Sequence, residues 1–577
     1  MKNILIGGAW PYANGSLHIG HIAALLPGDI IARYHRAIGN RVFYVSGSDC
    51  HGTPVAIRAK QEGKTPGVVS DFYHAEFVDA FSKLGFSYDL YTKTSNKAHI
   101  EFVQEFHKKL YGGGYIHERT VKQAFCQSCN KVLTDRLIVG KCPACGAATR
   151  GDQCDACNEV LDVDTVVDAK CSECGSSLTF GETTQLYLEI SKLAPEITEY
   201  LNDHKQWRKN AIAFTKKYID EGLRDRAITR DLDWGIDVPK AGYENKKIYI
   251  WAENVLGYLS ASAILCAERN IPFTELFGAS ADAGAGVSAG ANASAGTNAR
   301  HYYVHGKDNI PFHTIILPAL LLAHGDGDFC GGFHLPDDII SSEYLTLERR
   351  KISTSQNWAV WAKDIVDRYN PDALRYFFIA NGPEKRDTDF SWREFVERNN
   401  NELLGAYGNF VHRTLSFVVK YQGGAVPEAE ADSAVQKRIT EAFGTIGRKI
   451  EDGHLNDALD DAFELVRFGN KYFDSGEPWK TRTENEAECG TTISNCVQLI
   501  VNLAVLLEPF LPFSSAKIRG WFHFNSSWEV KSIPAGFRIP APEILFERLD
   551  KKVIEDEVEK LQSQVLSIKR TETPESP

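Results

Sequence analysis

The chain has 577 residues, 43% of them hydrophobic and 24% charged, more than one hydrophobic core organises and ordinary for a multidomain globular protein. Its net charge of −12 excludes a protein that grips nucleic acid by overall charge, so an RNA partner would have to meet local basic patches. The N-terminus has no basic start followed by an apolar run, and the longest apolar stretch, 497–513, is broken by Asn502, Glu508, Pro509 and Pro512; neither signal peptide nor membrane span is expected, and the cytoplasm is the default compartment.

In chain order, 3–6 reads as a strand, Gly7-Gly8 and Pro11-Tyr12-Ala13-Asn14-Gly15 as a turn, and 22–38 as a helix with one apolar face. His18-Ile19-Gly20-His21 therefore stands at a helix N-terminus beside the end of a first strand. An α/β sheet binds nucleotide phosphates there, on free backbone N–H groups. Imidazoles in that place can donate to phosphate oxygens as charge develops in an in-line displacement. Residues 42–46 continue as strand, and 66–84 and 96–111 as helices, which is half of a doubly wound parallel sheet. After Gly112-Gly113-Gly114 the pattern stops. Residues 115–229 look inserted, and the nucleotide-fold pattern resumes near Arg230, with 247–251 as a strand and 302–304 and 314–323 carrying it on. Residues 278–299 are almost all Ala, Gly, Ser and Asn, too poor in apolar surface to order, and read as a mobile loop. From Asp364 onward the pattern is helical. Amphipathic runs at 392–421, 433–452, 455–474 and 488–507 form a bundle, followed by a charged helix at 551–568 and a polar tail.

Eight of the 13 cysteines form four C-x-x-C pairs within the insertion: Cys126/Cys129, Cys142/Cys145, Cys154/Cys157 and Cys171/Cys174. Each such turn offers two thiolates to one side of a tetrahedral ion, so four pairs imply two zinc ions. With every position filled by sulfur, the ions are structural. Spacing leaves the pairing open between sequential and nested. A zinc ribbon that grips nucleic acid directly is disfavoured, because basic residues are sparse and Asp152, Asp155, Asp162 and Asp164 are close by.

The His18–His21 stretch resembles the HIGH signature of class I aminoacyl-tRNA synthetases. Gly8-Ala9-Trp10-Pro11-Tyr12-Ala13-Asn14-Gly15-Ser16-Leu17 and Asp49-Cys50-His51-Gly52-Thr53-Pro54 resemble the methionyl-tRNA synthetase family. Lys351-Ile352-Ser353-Thr354-Ser355 resembles the second signature, KMSKS, with Ile352 at its Met position and Thr354 at its second Lys. One cation on the leaving pyrophosphate is thus missing, and Lys351, helped by Arg349 or Arg350, must supply the charge. The Ile352 exchange accords with a chain whose only methionine is Met1, since Leu, Ile, Val and Phe fill a core with little volume change. The family's double-knuckle members pair their cysteines in nested fashion, which implies Cys142, Cys145, Cys154 and Cys157 around one ion and Cys126, Cys129, Cys171 and Cys174 around the other.

The resemblance implies ATP-dependent activation of L-methionine and its transfer to tRNA(Met) bearing a CAU anticodon, with Mg2+ and Zn2+ as cofactors. It implies a catalytic set of His18, His21, Arg230, Asp308 and Lys351. ATP would be bound by His18, Gly20, His21, Lys307, Lys351, Ser353, Thr354 and Ser355. A thioether needs an apolar, aromatic pocket with an anchor for the ammonium group. The matching residues are Ala9, Trp10, Tyr12, Asp49, Trp251, Val255, Tyr258, Phe312 and His313, with Asp49 on the ammonium and Tyr12 and His313 near sulfur. Trp10, Val255 and Asn309 depart from the family's usual residues, so the pocket is expected to be reshaped. Asn409 and Arg413, four apart on one helix face, and Trp479 match positions that read the anticodon. The expected domains are 1–114 and 230–335 (two halves of the catalytic fold), 115–229 (zinc insertion), 336–390 (second-signature loop and stem-contact region), 391–550 (anticodon bundle) and 551–577 (C-terminal helix and tail). No C-terminal dimerisation barrel is expected, hence a monomer. A sister synthetase for Leu, Ile or Val would carry a large editing insertion that this chain lacks. A cysteine enzyme would place thiolates within the nucleotide fold, and a small nucleotidylyltransferase would have no use for the bundle. A catalytically dead tRNA-binding protein is the reading that Thr354 would favour if it blocked turnover.

Overall fold

Five parallel strands form the central sheet of a computed structural model that describes residues 1–572 apart from 130, 134–136, 152–153, 155, 158, 160, 162–163, 279–297 and 325–331. The strands are β1 (Asn3–Gly8), β2 (Arg41–Ser48), β3 (Leu90–Lys93), β4 (Ala299–Gly306) and β5 (Asp338–Ser342), in the spatial order β5-β4-β1-β2-β3. Their central residues are buried almost without interruption, as parallel strands covered on both faces require. Strand periodicity divides β1 between two cores. Ile4 and Ile6 pack with helix α1 (Ile19–Ala37) on one face, and Leu5 packs with the helix Gly257–Glu268 on the other. The order reverses at β1, between β4 on one side and β2 on the other, which opens a crevice at the strands' C-terminal ends. Most of the loop expected at 278–299 lies outside the described residues.

The chain leaves this sheet after β3 and returns to it at β4. In between, Ile116–Cys126 pairs antiparallel with Thr179–Leu188 to form a long ribbon, and a small sheet of Ile138–Lys141, Ala148–Arg150 and Val167–Cys171 caps it. The run 247–251 is a strand only at Lys247–Ile248. The backbone then turns into the single 3-10 turn Ile250–Ala252, closed by Ala252 N–H donating to Tyr249 C=O at 2.8 Å. A short apolar run has no periodicity with which to distinguish the two.

Two further expectations change. β5 lies past residue 335, so the catalytic sheet extends into the stretch assigned to the second-signature region; all five of its residues are buried. The chain after Asp364 is not wholly helical, because Thr388–Phe390 pairs parallel with Leu345–Leu347, which also pairs antiparallel with Arg350–Lys351. That small sheet carries the second signature.

The bundle contains Asn409–Tyr421, Ser433–Glu451, Leu455–Ser475 and Glu486–Leu507. A π-helical segment, Asn399–Gly408, joins the first of these to Trp392–Arg398. Ile250–Glu268 and Glu486–Leu507 are long and apolar enough to cross a membrane, but 78% and 89% of their most apolar stretches are buried inside the protein, as core helices are. Catalytic fold and bundle are joined by the buried Arg375. Its guanidinium reaches Asp29 of α1 at 2.7 Å, Leu84 C=O at 3.2 Å, Pro509 C=O at 2.8 Å and Phe510 C=O at 2.9 Å. The C-terminal helix, Lys552–Glu572, folds back onto the second-signature region. Its Glu557 accepts from Tyr369 Oη at 2.7 Å and pairs with Arg368, and its Gln564 C=O accepts from Asn357 Nδ2 at 3.3 Å.

Candidate active site

The first signature is built by the N-terminus of α1. His18 is its N-cap: Gly20 N–H donates to His18 Nδ1, and His18 N–H donates to His21 Nδ1, both at 3.1 Å. With Nδ1 of each ring accepting, the proton of each neutral imidazole sits on Nε2. The rings lie 3.9 Å apart. Burial, and for His18 the neighbouring His21, hold His18 well below the usual imidazole range; burial lowers His21 to about 4. Both are thus neutral hydrogen-bond donors at physiological pH. Only glycine fits between them and the next element: a Cβ on Gly20 would lie 2.9 Å from the His18 ring and 3.6 Å from Ile352 Cδ1. The two signatures meet at that point, and backbone pairing reinforces the contact, with Ile19 N–H donating to Val360 C=O and Ala362 N–H to Leu17 C=O.

The loop itself is a tight hairpin. Ser353 and Trp358 exchange backbone hydrogen bonds at 3.0 and 2.9 Å, Asn357 takes a left-handed φ of 51°, and Ser353 and Ser355 hydroxyls lie 3.3 Å apart. Lys351, Thr354 and Ser355 are exposed. Tyr344, which no sequence motif singled out, ties this loop to the sheet. Its hydroxyl donates to Asp308, Lys307 Nζ lies 3.8 Å and Lys351 Nζ 5.5 Å from its ring centroid. Lys307 is itself held by Glu343 at 2.7 Å and Asp387 at 2.8 Å, so its charge is already countered. Arg230 stacks over Tyr249 at 4.1 Å and donates to Thr229 C=O at 3.0 Å.

Beside the signatures, aromatic rings line the crevice. Trp251 stacks on Phe312 at 3.6 Å and 9°, and Tyr12 meets Trp251 edge-on at 6.2 Å. Tyr258 Oη and His313 Nε2 are 2.8 Å apart, and His313 Nδ1 donates to Asn309 C=O at 2.8 Å. Nδ1 being the donor, Nε2 accepts from the tyrosine, and burial lowers His313 to about 4. Trp10 is buried on a cradle of two glycines: Cβ atoms on Gly47 and Gly257 would come within 2.5 and 2.7 Å of its ring. Ala9 N–H donates to Val304 C=O at 2.9 Å, and Val255 is buried in the same core. Asp49, at the end of β2, is buried and its Oδ1 has no protein partner. Burial, and then the nearby Glu253, push its carboxyl well above the usual range. The Asp49 backbone pairs with that of Tyr12, and a buried carboxylate oxygen without a protein partner suits an ammonium group.

In the insertion the cysteines form two nested groups, Cys126, Cys129, Cys171 and Cys174 in one and Cys142, Cys145, Cys154 and Cys157 in the other; within each, all sulfurs lie within 4.8 Å of one another. The closest sulfur pairs are 3.4 and 3.8 Å apart in the first group and 3.6 and 3.7 Å in the second. A tetrahedral ion with Zn–S bonds of about 2.3 Å needs sulfurs about 3.8 Å apart, so both groups fit zinc.

On the bundle, Arg413 is held by Asp474 at 2.7 Å and Asn470 at 2.9 and 3.1 Å, and its guanidinium lies 4.3 Å from the Phe473 centroid. Trp479, 46% exposed, lies 6.2 Å from the same ring. Phe473 thus joins two residues 66 apart in sequence, and the exposed Asn409 lies one helical turn from Arg413.

Residues 4–415 match the family model for class I tRNA synthetases (M), and 422–568 match that for the anticodon binding domain of methionyl tRNA ligase. A methionine–tRNA ligase of Bacillus cereus (strain Q1) is 50% identical over 564 residues, covering 97% of this chain and 99% of the relative. One from Alkaliphilus oremlandii (strain OhILAs) is 48% identical over 561 residues, with the same coverage. The crystal structure of Mycobacterium tuberculosis methionyl-tRNA synthetase bound by methionyl-adenylate shares the fold with a TM-score of 0.75, at 21% identity, over 95% of this chain and 100% of that one. The chain belongs to the class I methionyl-tRNA synthetases, which are methionine–tRNA ligases.

Proposed function

We propose that the protein activates L-methionine with ATP and transfers it to the 3′ end of tRNA(Met) in the cytoplasm, and that the residues described above carry the reaction. The observation that supports this most is the buried Asp49 oxygen without a protein partner, on a segment paired with Tyr12, in a fold whose first helix opens on two neutral histidines. Methionine enters with its ammonium on Asp49 and its thioether among Tyr12, Trp251, Tyr258, Phe312 and His313. Its carboxylate attacks the α-phosphorus of ATP, which comes with Mg2+, and the bond to pyrophosphate breaks. The Nε2–H groups of His18 and His21 donate to phosphate oxygens as charge builds there, and Lys351, on a hairpin whose Ile352 comes up beside Gly20, meets the leaving pyrophosphate. Arg230 and Asp308 hold the substrates in line. The terminal ribose hydroxyl of tRNA then attacks the adenylate's acyl carbon and AMP leaves. Asn409, Arg413 and Trp479 read the CAU anticodon, edges by the polar groups and a base face by the indole. The two cysteine groups hold structural zinc. In this reading the protein acts as a monomer, which sedimentation checks.

ATP–pyrophosphate exchange measured against all twenty amino acids tests the reading. Methionine alone should support strong exchange; equal exchange with another amino acid, or none with methionine, overturns it.

A further inference from the structure

The bundle face that carries Asn409, Arg413 and Trp479 continues past them. Tyr421, the last residue of the helix Asn409–Tyr421, is 41% exposed. It stands eight residues beyond Arg413, about 12 Å along the helix axis. Aromatic rings connect it with Trp479: Tyr421 lies 4.8 Å from Phe417, Phe417 6.4 Å from Phe473, and Phe473 6.2 Å from Trp479. The Arg482 guanidinium lies 4.4 Å from the Tyr421 centroid, and its Nε donates to Trp479 C=O at 3.2 Å. Lys420 Nζ is 5.1 Å from the same centroid. Two cations and two exposed aromatic rings thus share one patch.

The protein does not use up these cations. Among the described residues neither Arg482 nor Lys420 forms an ion pair, and the carboxylates near them are engaged elsewhere. Asp474 holds Arg413 at 2.7 Å, Glu477 holds Lys480 at 2.7 Å, and Glu488 accepts from Asn485 Nδ2 at 3.1 Å. With Nε on the Trp479 carbonyl, the Nη groups of Arg482 have no partner among the described residues. A guanidinium stacked on a ring and tied at Nε has little rotamer freedom left, so its remaining donors are already arranged for an oxyanion. The Lys420 ammonium, with Arg482 behind it, also holds the Tyr421 hydroxyl below the usual phenol range, as a local positive field does. In a chain of net charge −12, free cations on this face are placed against the overall balance.

Resting on the reading above, in which Asn409, Arg413 and Trp479 take the anticodon bases, we propose that Arg482, carried on the Tyr421 ring with Lys420 beside it, binds a backbone phosphate of the same RNA strand. A base cannot stack on the Tyr421 face that the guanidinium covers, and free guanidinium donors suit phosphate oxygens. Bases that turn in toward Asn409, Arg413 and Trp479 leave their phosphates at the rim of the patch, where Arg482 and Lys420 stand. The contact fixes the strand in place and is blind to base identity. Tyr421 is a positioning residue, because its ring holds the guanidinium.

Titration of the full-length protein with an unmodified tRNA(Met) transcript, at KCl concentrations from about 50 to 200 mM, tests the contact. One phosphate contact on a single strand adds about 0.7 to the slope of log affinity against log salt. Arg482→Ala should lower the slope by about that amount and weaken binding about fivefold at roughly 0.1 M salt. The loss should be the same factor for transcripts with altered anticodons, since a phosphate carries no sequence. Tyr421→Ala should weaken binding with less change in slope, because the charge remains, and Tyr421→Phe, which keeps the ring, should restore it. Unchanged affinity and slope in Arg482→Ala overturn the inference. So does a loss confined to the CAU transcript, which would make Arg482 a reader of bases. If Arg482→Ala does not fold, Lys420→Ala, on an exposed side chain, puts the same question to the slope. Trp479→Ala separates this inference from the reading beneath it: if that variant too binds tRNA(Met) as the wild type does, the face does not read the anticodon at all.

Discussion

At the scale of single residues, the histidines of the first signature owe their chemistry to what their other nitrogens do. Nδ1 of both His18 and His21 is used up by backbone N–H groups, which leaves Nε2–H as the only group that can reach substrate and makes the rings donors rather than bases. A donor aimed at developing charge contributes more in the transition state than in the ground state. His21→Ala should therefore slow adenylate formation by about 10²–10³-fold, while the methionine KM in ATP–pyrophosphate exchange changes little. Equal loss in rate and in methionine binding would assign His21 to the pocket instead. The sequence named His18 and His21 by motif, and Asp49 by its match to the family's pocket. Tyr344 carried no such signal, and His51 and Glu253 stood near matching residues without a role of their own. Their importance comes from partners 202 residues away for the Glu253–His51 pair and 36 residues away for Tyr344–Asp308, distances at which no local pattern acts.

Among the elements, the insertion is the one whose two cysteine groups could hold metal. Its small core has few apolar residues around the cysteines, so metal binding and folding are coupled there. Metal analysis should return two zinc ions per chain. Cys142→Ser should remove one and leave the ion held by Cys126, Cys129, Cys171 and Cys174, because the two groups are nested. Loss of the ion at Cys126 and Cys129 with Cys154 and Cys157 still metallated would contradict that arrangement. The cysteine spacing announces two ions in the sequence, but not which turns share one. That choice is made by the antiparallel ribbon, which brings Cys126 at the end of one strand near Cys171 and Cys174 beside the other. The strand expected at 247–251 shows the converse: a hydrophobic run too short to carry a period took the conformation its tertiary neighbours required.

Over the whole molecule, two couplings join catalytic fold and bundle. The first is structural. Burial by itself would raise Asp29, but Arg33 and Arg375 hold it far below the ordinary carboxylate range. A carboxylate depressed in the folded state adds stability above its unfolded pKa of about 4 and loses it as the pH falls below that value. Asp29→Asn, which strands the buried Arg375, should cost about 3–5 kcal/mol and flatten the acid limb of the stability profile; thermal melts from neutral to acidic pH check both. The second is the proposed one through tRNA. The indole of Trp479 is exposed beside Phe473, and stacking on a base is worth roughly 1–3 kcal/mol. Trp479→Ala should raise the KM for tRNA or depress aminoacylation strongly, with methionine-dependent exchange nearly unchanged. Equal damage to both would make the residue structural.

The sequence by itself determined the doubly wound fold, the split by a cysteine-rich insertion and the helical bundle after it, because periodicity, turn residues and C-x-x-C pairs are local and act over a few residues. It also carried the family, in blocks from the first signature to the bundle. Only the tertiary structure decided how far the catalytic sheet runs, since β5 declares itself by burial against β4. It alone decided that Ile352 comes up beside Gly20, that Phe473 joins Arg413 to Trp479, and that Glu253 pairs with His51. Those contacts join segments far apart in the chain, and their energies come from burial and charge in a shared interior that no stretch of sequence contains.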